Sequence, residues 1–177
     1  MGEIPTLLCA MTTMENLKLS FTGEYSNSLD QKHRLSIPAK FRKALDPIND
    51  RTFVITRGFD SCLILYPVTE WNQVEEQLSK LSSIRGQHRT FVRSIVRHAT
   101  YLQYDSQGRI AIPDSLLEFA SVKKDVSVIG MINKIELWAP ELLNSQDSTA
   151  NVTADDLSYA HADTVAVVDK AAHDEHQ

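Results

Sequence analysis

Twice in this chain an aspartate stands four residues before an arginine: Asp30 and Arg34 in "SLDQKHRLSIP", Asp105 and Arg109 in "QYDSQGRIAIP". A carboxylate at the head of a tight turn accepts backbone N–H groups. At this spacing it also meets the guanidinium that follows, in a charge-assisted pair that fixes the arginine's direction. The expectation is that Asp30 and Asp105 brace their turns while Arg34 and Arg109 project outward and make the working contacts. One exposed pair of this kind contributes about 0–1 kcal/mol and is commonly plain scaffold; recurrence in matched surroundings makes this one a candidate site. The first copy is also basic, with Lys32, Arg34, Lys40, Arg42 and Lys43 in residues 32–43 and no acid among them. Cations on a turn, strand and short helix suit phosphate neutralisation and entry into a major groove.

Catalytic readings fare worse. Asp30 and Asp105 each have an arginine that keeps them ionised, which does not suit a proton-sharing carboxylate pair, and no nucleophile elbow, phosphate loop or metal box is present. The protein is therefore not expected to be an enzyme or to carry a cofactor; a hydrolase using the two aspartates would lose activity in Asp30→Asn. Cys9 and Cys62 show no ligand or disulfide spacing, which suggests a reducing compartment. The six histidines also lack ligand spacing, and His161, His173 and His176 belong to the polar tail.

The elements that must position these residues are legible because the whole unit recurs. At an offset of 75, Asp30 aligns with Asp105, Arg34 with Arg109, Ile37 with Ile112 and Pro38 with Pro113; farther on, "FVITRGFD" meets "VSVIGMIN" and "LILYP" meets "IELWAP". Each copy reads as a tight turn, a short alternating strand, a short helix beginning at the Ile-Pro step, and a hairpin. Phe41, Ala44 and Leu45, and likewise Leu116, Leu117 and Ala120, fall on one helical face. Strands are expected at 53–56, 63–66, 126–129 and 135–138, making the fold α+β. Between the copies, "VTEWNQVEEQLSKL" and "RTFVRSIVRHATYL" have helical periodicity and imply two linking helices joined around Gly86. Trp71, Trp138 and Tyr66 are expected in the core.

The second linking helix carries Arg85, Arg89, Arg93 and Arg97, a stripe open to three readings: a solvated face, a subunit interface, or phosphate contact. The net charge of −5 averages unlike parts, since the segment from Glu141 onward holds eight acids and one base, Lys170, and the remainder is slightly basic. The expected organisation is an extension at 1–18, a first repeat with its helix at 19–84, a second at 85–144, and an acidic, disordered tail at 145–177 in which "DTVAVVDKAA" forms at most a marginal helix. Such a tail would compete with DNA for the basic face or simply aid solubility. No apolar run is long enough for a membrane span, and the short run at 6–11 lacks the charge and length of a signal peptide.

Together "LDQKHRLSIPAKFR", "FVITRGFDSCLILYP", "EW", "DSQGRIAIP" and "IELW" resemble the MraZ family of bacterial transcriptional regulators across residues 21–140. The resemblance implies two tandem AbrB-like swapped-hairpin (small β-barrel) repeats related by a pseudo-two-fold axis and assembled into a ring-shaped homo-oligomer. It further implies a cytoplasmic, nucleoid-associated protein that binds short G-rich direct repeats upstream of the cell-division and cell-wall gene cluster. Arg34 is then the DNA-contacting residue and Arg109 its counterpart, with Lys32 and Arg42 alongside. The alternative is an antitoxin-like module that captures a protein partner. Two positions depart from the family pattern: His33 replaces a usual Gly, so a side chain must be carried at positive φ, and Thr22 follows Phe21 where a base is common. The second copy also has Gln107 and Leu117 in place of Lys32 and Arg42, which leaves it either a weaker reader or a scaffold.

Overall fold

Proline punctuation sets the framework. Pro38 and Pro113, with ψ 136 at each, stop the extended chain and open short helices, while Asp46 accepts from Ile48 N at 2.9 Å and turns the chain through a 3₁₀ segment, Pro47–Asn49. In the computed structural model, which describes residues 20–149, the elements run β1 (Phe21–Ser28), β2 (Arg34–Ser36), α1 (Ala39–Ala44), β3 (Thr52–Arg57), β4 (Leu63–Pro67), α2 (Val68–Ser79) and α3 (Gly86–Val96). The chain continues through β5 (Thr100–Gln103), β6 (Arg109–Ala111), α4 (Asp114–Phe119), β7 (Asp125–Ile132), β8 (Lys134–Trp138) and α5 (Pro140–Thr149). The compact unit ends at Pro140. A second begins at Glu141, and its described part lies in α5.

Two antiparallel sheets result. One has six strands in the order β1-β7-β8-β4-β3-β5, and the other is the pair β2-β6. β1 lies along β7 from Phe21↔Ile132 to Ser28↔Asp125, while β5 lies along β3 from Thr52↔Gln103 to Ile55↔Thr100. The leading strand of each copy is thus paired with the hairpin of the other. The hairpins β3-β4 and β7-β8 meet centrally at β4-β8, with Leu63 opposite Leu137. The fold is α+β with exchanged strands, and its pseudo-two-fold runs through the β2-β6 pair.

The exchange is sealed by apolar packing. Leu35, Phe41, Phe53, Val54, Ile55, Leu63, Leu65, Ile110, Val128, Ile135 and Leu137 are fully buried, each such aliphatic or aromatic side chain contributing about 1.5–3 kcal/mol. Phe41 of α1 packs edge-on against Phe21 and Tyr25 of β1, at 5.5 and 5.1 Å between ring centroids. At Gly130 a Cβ would stand 2.5 Å from Phe21 C and Thr22 N, so β1 approaches β7 only because no side chain intervenes.

The structure departs from the sequence reading at several elements. The leading strands β1 and β5 were not expected, because "FTGEYSNS" and "TYLQ" carry little apolar content; partners supplied by the other copy make them strands. Helical periodicity through 100–102 yields to β5 for the same reason. The linking helices are barely anchored: α2 buries only Trp71, and α3 buries no side chain completely. Trp71 and Trp138 are buried, whereas Tyr66 is only half-buried. Helix α5 runs across the boundary drawn at 144, reaching Thr149, while 1–18 and the "DTVAVVDKAA" segment lie outside the described residues. No helix among the described residues is long and apolar enough to cross a membrane.

Candidate functional site

Each Asp-x-x-x-Arg turn is closed by its own carboxylate. Asp30 Oδ1 accepts from Lys32 N at 2.9 Å and Arg34 N at 3.0 Å, and Oδ2 accepts from Arg34 Nε at 2.7 Å. Asp105 repeats the pattern with Gln107 N, Arg109 N and Arg109 Nε at 2.9, 3.0 and 2.9 Å. The third residue after each aspartate is left-handed, His33 at φ 54 and Gly108 at φ 77; histidine tolerates this region better than most side chains.

The turns then meet. In β2-β6, Leu35 pairs with Ile110, Arg34 with Ala111 and Ser36 with Arg109, which sets the two motifs side by side across the pseudo-two-fold. Arg34 Nη2 lies 2.7 Å from Asp30 Oδ2 while its Nη1 is 3.9 Å from Asp105 Oδ2; Arg109 Nη2 lies 2.7 Å from Asp105 while its Nη1 is 3.8 Å from Asp30. Two carboxylates and two guanidiniums form one closed, electrically balanced quartet whose side chains are 25% to 35% exposed. The hydrogen bond from its own arginine side chain, then that arginine's backbone N–H, holds each carboxyl well below its ordinary value of 3.8, at about 2. The sequence suggested two independent arginines, each aimed by its own turn. In the structure each arginine keeps its own carboxylate and also stands 3.8 to 3.9 Å from the other turn's.

The remaining bases divide into free and engaged. Lys32 is exposed, and its ammonium makes no hydrogen bond or ion pair among the described residues. Lys40 Nζ reaches Thr22 O and Oγ1 at 3.2 and 3.3 Å. Arg42 reaches from α1 across the second turn: its Nε donates to Ile37 O at 3.1 Å, and its guanidinium covers Gly108, where a Cβ would come within 2.6 Å of Cζ. The position related by the pseudo-two-fold differs, since Leu117 aligns with Arg42 and His33 with Gly108. There the His33 ring meets Asp114 of α4, Nδ1 to Oδ1 at 2.5 Å, beside a cavity of about 480 Å³ lined by Leu117, Glu118, Ser121 and Lys123. The quartet's cross-links and the His33–Asp114 contact were both missed by sequence reasoning. The paired exchanges of Gly for His and Arg for Leu are visible at the offset of 75, but their meeting in space is not.

The arginine stripe also divides. Arg89 Nη1 donates to Ser83 O and Ile84 O at 2.9 and 2.7 Å and closes the α2–α3 loop, a role outside the three considered. The side chains of Arg85, Arg93 and Arg97 make no hydrogen bond or ion pair among the described residues. Burial, reinforced by the charge of Glu136, pushes the Cys62 thiol up to about 11, so it is a poor nucleophile at neutral pH.

A family model described as "MraZ protein, putative antitoxin-like" matches the chain twice, at residues 20–94 and 95–164, one match per copy. The chain belongs to the MraZ family. Its relatives in the family include a protein of Halothermothrix orenii, 41% identical over 81% of this chain and 97% of its own. Others are a protein of Pediococcus pentosaceus, 46% identical over 67% and 80%, and one of Natranaerobius thermophilus, 37% identical over 78% and 94%. All three are named "Transcriptional regulator MraZ". The family matches meet at 94/95, within α3, so the linking helix is shared between the two repeats.

Proposed function

We propose that this protein is a sequence-specific, DNA-binding transcriptional regulator, acting as a repressor at short direct repeats upstream of the cell-division and cell-wall gene cluster, on the nucleoid in the cytoplasm. The observation that carries the reading is the balanced quartet: it spends no net charge, yet holds two turns rigidly side by side with Lys32 exposed at the edge of one of them. Membership of a family whose relatives bear a regulator's name supports it. In this reading Lys32 supplies phosphate or base contact, and the outer N–H edges of Arg34 and Arg109, with Arg42 beside them, complete the reading face.

A single pair of turns has a small footprint. The proposed ring supplies several, so that repeated protein meets repeated DNA and effective concentration raises the affinity. The largely exposed α3 and the exposed Phe59, Ile84, Phe91 and Tyr101 are apolar surface that an assembly would bury.

Titration of promoter DNA at several salt concentrations tests the reading. Binding weakens steeply with salt; Lys32→Ala lowers affinity for all sequences and reduces the salt slope by about one; Arg34→Ala abolishes the preference for promoter over random DNA. Unchanged preference in Arg34→Ala removes that residue from the reading face. In the second reading, an antitoxin-like module that captures a protein, the exposed Phe59–Phe91 stack, with centroids 6.3 Å apart, faces that partner and not another copy. Recovery of a partner protein together with absent operator protection establishes that reading instead.

A further inference from the structure

The two turns share one backbone but differ at the left-handed residue. At Gly108 the missing side chain leaves room for Arg42. At His33 a side chain occupies the same position, the shorter Leu117 replaces the arginine, and the imidazole reaches Asp114 on the other copy's helix. An ionised carboxylate can only accept, so Nδ1 carries the proton in this contact, and Nε2 is the nitrogen left for another partner. Among the described residues Nε2 makes no hydrogen bond, and the ring is 50% exposed, next in sequence to Lys32 and Arg34. Both backbone groups of His33 are also engaged: its N–H donates to Asp30 O at 3.0 Å and its carbonyl accepts from Ile112 N at 3.1 Å. The ring is thereby held at a fixed place on the turn.

We infer that His33 is a specificity-determining residue, oriented by Asp114 so that Nε2 is offered to a base edge; the inference rests on the reading that the first turn enters the major groove. The neutral ring accepts, which matches the exocyclic amino group of cytosine or adenine. The protonated ring donates, which matches O6 or N7 of guanine. In either form the ring meets a base edge through Nε2, and Asp114, which holds Nδ1, serves as its positioning residue. The charged groups around it are Lys32 and Arg34 on its own turn, Asp114 and Glu118 on α4, and Lys123 beyond that helix.

The experiment is binding of the full chain, by fluorescence anisotropy, to duplexes carrying the promoter repeats and every single-base variant of them. In wild type one base pair of the repeat shows a preference that depends on His33. His33→Gly lowers discrimination at that pair by about three- to tenfold, the share of one hydrogen bond; Gly108 shows that glycine holds the same turn. Asp114→Asn, which no longer fixes the tautomer, blunts the preference at the same pair. A His33→Gly profile identical to wild type at every base overturns the inference. If Arg34→Ala in the same assay still loses promoter preference, the underlying reading survives that result; if wild type proves indifferent to sequence, both fall.

Discussion

Asp30 and Asp105 each neutralise one arginine and lie near a second, so deleting one carboxylate alters two arginines at once. In Asp105→Asn, Arg109 loses its anchor and Arg34 its 3.9 Å neighbour, leaving the site with net positive charge. The expected outcome is higher affinity for random DNA, a steeper salt dependence and poorer promoter preference, measured by anisotropy titration; unchanged binding would show that the quartet does not govern how the arginines meet DNA. Acid supplies an independent check. Both carboxylates titrate near 2 when folded against 3.8 ordinarily, so their contribution is complete above pH 3.8 and fades as pH falls from there toward 2. The Asp30→Asn/Asp105→Asn variant should show a shallower loss of stability across that window by circular dichroism than the wild type. The sequence displayed each Asp with its own Arg because those four residues are local. It hid the 3.8 and 3.9 Å cross-links because they depend on the register of β2 against β6, which no spacing along the chain encodes.

Among the elements, the short β2 and β6, the helices after Ile-Pro and both hairpins were legible, since alternation, proline geometry and β-rich composition are all local signals. β1 and β5 were not, because their strand character comes from the partner to which they are bonded. The β1–β7 contact has a sharp steric requirement at Gly130. Gly130→Ala should cost about 1–3 kcal/mol, the usual range for overpacking, read as a lower urea midpoint; Gly86→Ala, at the open start of α3 where an added Cβ meets only an Arg89 nitrogen at 3.8 Å, is the control that leaves the midpoint nearly in place. Equal midpoints for the two variants would mean that β1 is free to shift.

At the scale of the molecule, neither repeat owns a complete sheet. Residues 1–84 supply β1, β3 and β4, yet β1 has no neighbour without β7, and the outer side of β3 is bare without β5. Expressed alone, either half should fail to give a folded monomer, as judged by amide dispersion in NMR and by size, whereas co-expressed halves should recover the fold; a well-dispersed monomer of 1–84 would contradict the strand exchange. The cross-copy pairing also bears on synthesis. Phe21 pairs with Ile132, about a hundred residues later, and at translation rates of about 5–20 residues per second the first strand waits roughly 5–20 s on the ribosome for its neighbour to be made. During that interval the nascent chain carries an unsatisfied strand edge, which makes it a natural client for chaperones that shield growing polypeptides.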